Sequence, residues 1–228
     1  MPRALRIWIP DGIYHLTVRG NNRQPIFLNA ADYQQYLIEL RECQRHCAYH
    51  VLAFALMPNH VHMVVEASPQ ASLSDVMHRV STNYTRYFND HYHRIGHLYQ
   101  DRFYSNLVDQ DSYLMEVTRY VHLNPFRAGL VRHPAEYSWS SYRMYAELEP
   151  DRLGLVERAR VLRFFGDSPR EQVPRYRRFV EALAAGELEA WVRKLERHKL
   201  VPPRRWLAQP SLQEVPGTFH EKVPGTFR

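Results

Sequence analysis

An α+β fold is predicted by three features of the sequence. Residues 13–19 alternate along a strand, and two apolar runs flank a Pro58-Asn59 turn signal as a hairpin would. Two amphipathic helical patterns separate these strands from each other and from a further strand at residues 103–108. The order strand, helix, strand, strand, helix, strand is the split βαβ, ferredoxin-like pattern. A helix carrying Tyr120 is added after the last strand, and a helical extension follows it.

Each element has a local reason. In the first strand Tyr14, Leu16 and Val18 fall on one face and His15, Thr17 and Arg19 on the other, because successive side chains alternate. Gly20 to Pro25 is a loop. Asn29 is an N-cap for a helix whose apolar positions Tyr33, Tyr36, Leu37, Leu40 and Cys43 repeat with the helical period, carrying it to about Cys47. Val51 to Leu56 and Met63 to Val65 are the hairpin strands. Ser68 to Ser72 interrupts the pattern, and a second helix runs from about Ser72 to His91 with Leu73, Val76, Val80, Tyr84, Tyr87 and Phe88 as its apolar stripe. Residues 91–102 form a polar loop of rings and arginines, a composition suited to single strands whose bases stack on aromatics. Asp109 to Ser112 caps a third helix, about 111–124, which is expected to end at Asn124-Pro125.

Residues 135–142 read as an aromatic segment closing the domain. Two helices follow, one through Leu155, Val156, Ala159, Leu162 and Phe165, the other through Tyr176, Phe179, Val180 and Leu183. A third stretch from Leu188 to Leu200 carries Arg193, Lys194, Arg197 and Lys199. Pro202 to Trp206 reads as an extended basic linker. The tail repeats Val215-Pro216-Gly217-Thr218-Phe219 at Val223 to Phe227 and is expected to be disordered. The chain thus divides into 1–149, a basic helical extension 150–207 and a tail 208–228.

Composition narrows the function classes. Of the 228 residues, 1–150 hold 14 Arg, no Lys and 14 Asp plus Glu. Residues 151–228 hold 16 Lys plus Arg against 10 Asp plus Glu, which supplies the whole net charge of +6. A neutral front with a basic back suggests a polyanion-binding extension. No run of about 18 apolar residues suggests a membrane span. The start lacks the apolar core of a signal peptide, so a cytoplasmic, nucleoid-associated protein is expected. Cys43 and Cys47, four apart on a helix, read as core-facing thiols in a reducing compartment.

Two constellations carry chemistry. His60 and His62 point the same way from one strand with Val61 opposite, and paired imidazoles are half of a divalent-metal site. Among 13 histidines such a pair also arises by chance. Tyr120 and Asn124 lie four apart on one helix face beside Leu114, Val117 and Val121. Alone, the tyrosine reads as a core-edge residue and Asn124 as a helix end. With the histidines they acquire a joint role: a phenol of pKa near 10 becomes an effective nucleophile when a metal polarises the phosphate it attacks, and the Asn124 amide oxygen could be a third ligand. His122 faces away from Tyr120 and Asn124 and receives no metal role.

These residues carry a resemblance. His60-Val61-His62 resembles the histidine-hydrophobe-histidine motif of HUH endonucleases. With Tyr120 and Asn124 it is similar to the single-tyrosine transposases of the insertion-sequence type. The strings Ala55 to His62 and Arg119 to Val131 look closest to the REP-associated branch, and the resemblance covers roughly residues 5–145. It implies that His60, His62 and Asn124 hold one Mg²⁺ or Mn²⁺. It implies also that Tyr120 attacks single-stranded DNA to leave a 5′-phosphotyrosine and a free 3′-hydroxyl. The substrates implied are hairpins of repetitive extragenic palindromes (REP). Other branches carry glutamine where Asn124 stands. Arg19, Arg23, Arg79, Arg86, Arg94, Arg102, Arg127, Arg193, Lys194 and Arg197 are the candidate DNA contacts. A non-catalytic palindrome-binding regulator is the alternative function. Both monomer and homodimer remain open, since tyrosine helices are exchanged between subunits elsewhere in the family.

Overall fold

A computed structural model describes residues 9–183 and 185–201. The linker and the repeat tail named above lie outside the described residues.

Four antiparallel strands, β1 (Ile13–Arg19), β2 (His50–Met57), β3 (His60–Glu66) and β4 (Tyr104–Val108), form one sheet in the order β2-β3-β1-β4. Helices α1 (Ala30–His46) and α2 (Leu73–His91) follow β1 and β3, as the ferredoxin-like pattern requires. The observed architecture is therefore the α+β fold expected from the sequence. Alternation divides the sheet. Tyr14, Leu16, Val18, Val61, Met63 and Val65 join the apolar residues of α1 and α2 in one core. Ala53, Ala55 and Val64 face the second core, built with α3 (Asp111–Arg127). α1 starts at a full capping box: the Asn29 side chain accepts from the Asp32 amide, and the Asp32 carboxylate accepts from the Asn29 amide.

Short helices α4 (Tyr142–Tyr145) and α5 (Ala159–Leu162), then α6 (Pro169–Glu181) and α7 (Ala185–Arg197), complete the described chain. They contribute Tyr142, Tyr145, Val161, Tyr176, Val180, Leu188, Val192 and Leu195 to the second core. The described residues after 150 are thus packed mainly over the sheet face opposite α1 and α2, with Leu155 joining the first core.

Two boundaries differ from expectation. α3 does not stop at Asn124-Pro125 but continues to Arg127. Proline removes one amide donor, and burial of residues 117–125 outweighs that loss. The helix closes instead where Leu130 N–H reaches the Pro125 carbonyl at 3.0 Å, with Gly129 left-handed at φ +71°. Its N-cap is Gln110, whose side chain makes no capping bond. The helix expected through Leu155 to Phe165 is reduced to α5 and a 3₁₀ turn, Arg163–Phe165. Leu155 and Val156 are instead drawn alongside β2: Val156 bridges Val51, and Glu157 N–H bonds the Val51 carbonyl at 2.8 Å. β2 is an edge strand, and such edges require cover. The Tyr137-Ser138-Trp139-Ser140-Ser141 segment covers the rest, with Leu56 N–H on the Trp139 carbonyl at 2.8 Å and Ser141 N–H on the Phe54 carbonyl at 3.0 Å.

Candidate active site

The site forms where α3 crosses the central strands. Pairing of β1 with β3 sets Thr17 opposite His62 and Arg19 opposite His60, so His15, Thr17, Arg19, His60 and His62 share the face beneath α3. Tyr120 projects from the middle of α3. Its ring meets that of His62 edge-on at 5.5 Å and that of His15 at 5.6 Å. His60 and His62 rings stand 4.9 Å apart. Asn124, one turn beyond Tyr120, donates its side-chain amide to the Tyr120 carbonyl at 2.8 Å. Sequence positions as far apart as 15 and 124 are brought together within one chain.

Hydrogen bonding around the histidines is specific. His60 Nδ1 lies 2.6 Å from Asn59 Oδ1, and the Asn59 amide nitrogen donates to the Arg23 carbonyl at 3.1 Å. His62 Nδ1 lies 3.1 Å from His15 Nε2 and 3.4 Å from Thr17 Oγ1. His15 Nδ1 lies 3.0 Å from the Leu200 carbonyl oxygen. Two buried atoms at the centre have no hydrogen-bond partner: His62 Nε2 and the Tyr120 hydroxyl. Each orphaned buried polar atom calls for an explanation, and these two belong to one cluster of histidine and tyrosine rings.

Burial dominates the electrostatics. It lowers His60 to about 3 and His62 well below the ordinary imidazole value, with Arg19 and Arg127 adding to the effect at His60. Both rings are therefore neutral and carry a lone pair, the form that ligates metals. Burial pushes the Tyr120 phenol above its ordinary value, while Arg127 pulls it back. The Arg127 guanidinium lies 6.0 Å from the Tyr120 ring centroid.

α7 seals this site. Tyr120 is 1% exposed and His62 0%. Trp191 of α7 approaches the Tyr120 ring at 6.3 Å and bonds Glu116 through its indole N–H at 2.6 Å. Arg127 is held by Glu189 at 3.0 Å. Arg119 of α3 lies under Phe179 and Trp191 at 4.2 and 4.7 Å.

Among the described residues no group of three or more His, Cys, Asp and Glu side chains is placed to hold a metal ion. The residues expected from the sequence to hold a cation are two neutral imidazoles, His60 and His62, and the Asn124 amide. The orphaned Nε2 of His62 is the observation that favours this set.

The family model described as "Transposase IS200 like" matches residues 9–124. The chain belongs to this family. The matched span covers the sheet, α1, α2 and most of α3, including Tyr120 and Asn124. A Haemophilus influenzae protein named as a REP-associated tyrosine transposase is 23% identical over 170 residues, covering 68% of this chain and 94% of that one. Among solved structures, a REP-associated tyrosine transposase bound to a REP hairpin superposes with a TM-score of 0.57. It is 18% identical and covers 64% of this chain and 86% of that one. At that identity the likeness is one of fold.

Of the sequence-based site residues, His60, His62, Tyr120, Asn124, Arg19 and Arg127 come together. Exposed Arg23 and Arg102 and half-buried Arg94 stand on loops meeting at the sheet end beside His60. Those loops are tied by Gly20 N–H to the Asn59 carbonyl at 2.8 Å, Asn21 N–H to Leu98 at 2.8 Å and Gln100 N–H to Arg19 at 3.0 Å. Arg79 and Arg86 are exposed on α2, across the sheet from the site. Arg193, Lys194 and Arg197 line the outer side of α7. Sequence reasoning missed His15 and Asn59. Alternation already placed His15 on the face of Thr17 and Arg19, but only the β1–β3 register shows that this face is the histidine face.

Proposed function

We propose that this transposase-family protein is a metal-dependent single-stranded DNA endonuclease and strand transferase that acts on REP-type hairpins through a 5′-phosphotyrosine. The carrying observation is Tyr120, whose buried hydroxyl meets no full hydrogen-bond geometry, lies within the influence of Arg127 and Asn124, and stands on a ring 5.5 Å from that of His62, whose Nε2 is also orphaned. In this reading Tyr120 Oη attacks phosphorus and releases its proton to the solvent of the opened site, which supplies the one taken by the leaving oxygen. The bond from phosphorus to O3′ breaks, and the leaving oxygen takes a proton to become the free 3′-hydroxyl. Attack of a 3′-hydroxyl on the phosphotyrosine reverses the step and joins strands without an external energy source. His60, His62 and Asn124 would hold Mg²⁺ or Mn²⁺, which would supply Lewis-acid polarisation of the scissile phosphate. Arg127, freed from Glu189, is the cation nearest the phenol and counters charge on the attacking oxygen.

The buried site admits no strand while α7 is docked, so cleavage on this reading requires α7 to leave. That covering also favours a second reading, a REP-hairpin binder that does not cleave and acts as a regulator. Either activity places the protein on the chromosome in the cytoplasm. On this reading residues 1–149 are a nuclease unit, 150–207 a basic extension that contacts phosphates, and 208–228 a tail.

One denaturing gel separates the readings. Protein is mixed with a labelled single-stranded palindrome from its own genome and Mg²⁺ or Mn²⁺. A protease-sensitive shifted band in wild type, absent in Tyr120→Phe, is the expected result; His60→Ala loses cleavage and keeps binding. A native-gel shift with neither adduct nor cleavage would establish the binder.

A further inference from the structure

The histidine hydrogen bonds contain more information than the ligand set, because three of the partner atoms can act in only one way. A carbonyl oxygen only accepts, so the Leu200 carbonyl 3.0 Å from His15 Nδ1 requires a proton on that nitrogen. The neutral His15 ring then presents a bare Nε2, which only accepts. His62 Nδ1, 3.1 Å away, must be its donor. The single proton of His62 is thereby placed on Nδ1, and Nε2 keeps its lone pair. That nitrogen is the one buried without a partner.

The same arithmetic holds at His60 through a different residue. Asn59 donates its amide nitrogen to the Arg23 carbonyl, which turns Oδ1 toward His60 Nδ1 at 2.6 Å. An amide oxygen only accepts, so His60 also carries its proton on Nδ1. Asn59 is 1% exposed and His15 0%, so water does not substitute for either partner.

We infer that His15 and Asn59 are positioning residues: each accepts the Nδ1 proton of one site histidine and leaves both Nε2 lone pairs free for a divalent cation. The inference rests on the metal reading above. Outer partners of this kind fix the tautomer and ring orientation of ligating histidines. His15 and His62 stand on the paired central strands, so their contact does not depend on α7. Leu200 adds a second level: in the covered state its carbonyl sets the His15 tautomer, so the site is held metal-ready before it opens.

The test is long-range ¹H–¹⁵N correlation on histidine-labelled full-length protein, followed by Mn²⁺ titration read by EPR. Wild type should show Nδ1-protonated signatures for His15, His60 and His62; an Nε2-protonated His60 or His62 overturns the inference. His15→Phe keeps ring volume and loses the acceptor, and should bind Mn²⁺ about tenfold to a hundredfold more weakly. His15→Gln, whose amide oxygen can accept, should recover most of that loss. His122→Phe, altering a buried histidine bonded instead to Ser141 and Tyr176, should leave Mn²⁺ affinity unchanged and reports generic core damage. Mn²⁺ binding that survives His15→Phe overturns the inference and leaves the metal reading standing. Wild-type protein with these tautomers but no Mn²⁺ binding overturns both.

Discussion

Four histidines, His15, His60, His62 and His122, are buried as neutral rings, and this gives the fold a pH limit. Burial lowers His15 from 6.5 to about 4 and both His60 and His122 to about 3. Between those values and 6.5 the unfolded chain binds protons that the folded chain refuses. Stability is therefore complete above about pH 6.5 and is lost as pH falls toward 4. Each such histidine contributes a slope of up to about 1.4 kcal/mol per pH unit. Urea midpoints should fall steadily between pH 7.5 and pH 5, and His122→Phe should flatten part of that slope. An unchanged midpoint over the range would show that these rings are not buried neutral. His122 also shows what sequence spacing could and could not do: helix geometry correctly turned it away from the site, but its bonds to Ser141 Oγ at 2.8 Å and the Tyr176 hydroxyl at 2.6 Å needed the tertiary fold.

At the scale of elements, α7 and α1 make opposite predictions. α7 is tied over the site by Trp191 and by the Arg127–Glu189 pair. Trp191→Ala removes the ring against Tyr120 and the bond to Glu116. It should raise amide exchange in α7 and increase the initial rate of adduct formation several-fold; a slower rate would mean that α7 completes the site rather than covering it. Asn29→Ala acts far from the site. Losing the capping box of α1 should cost about 1 kcal/mol in urea denaturation and leave adduct formation unchanged. The strands, α1 and α2 were legible because their periods of two and 3.6 are local properties of the chain. Tyr120 and the histidines were legible as motifs. The covering of the site was not, because the apolar stripe of α7 announces a buried face without saying what it is buried against. The short α5 was misread for a related reason: Leu155 and Val156 follow the needs of the β2 edge, a non-local demand that outweighs helical spacing.

For the molecule as a whole, the excess positive charge alone does not locate the DNA. The sheet divides the arginines into two sets. Arg23, Arg94 and Arg102 lie on loops at the His60 end of the sheet, whereas Arg79 and Arg86 are on α2 behind it. On the proposed function, a strand that reaches Tyr120 from the His60 end of the sheet crosses the first set and misses the second. Phosphate contacts release counterions, so each one adds about one to the slope of log affinity against log salt. Arg23→Ala and Arg102→Ala should each weaken hairpin binding at low salt and reduce that slope by about one. Arg79→Ala with Arg86→Ala should leave both unchanged, because exposed charges beyond a Debye length of about 10 Å are screened at ordinary salt. Fluorescence anisotropy across a salt series checks all three variants. The reverse result, with the α2 pair setting the slope, would place the hairpin on the helical face of the sheet and leave only its single-stranded flank to reach the tyrosine.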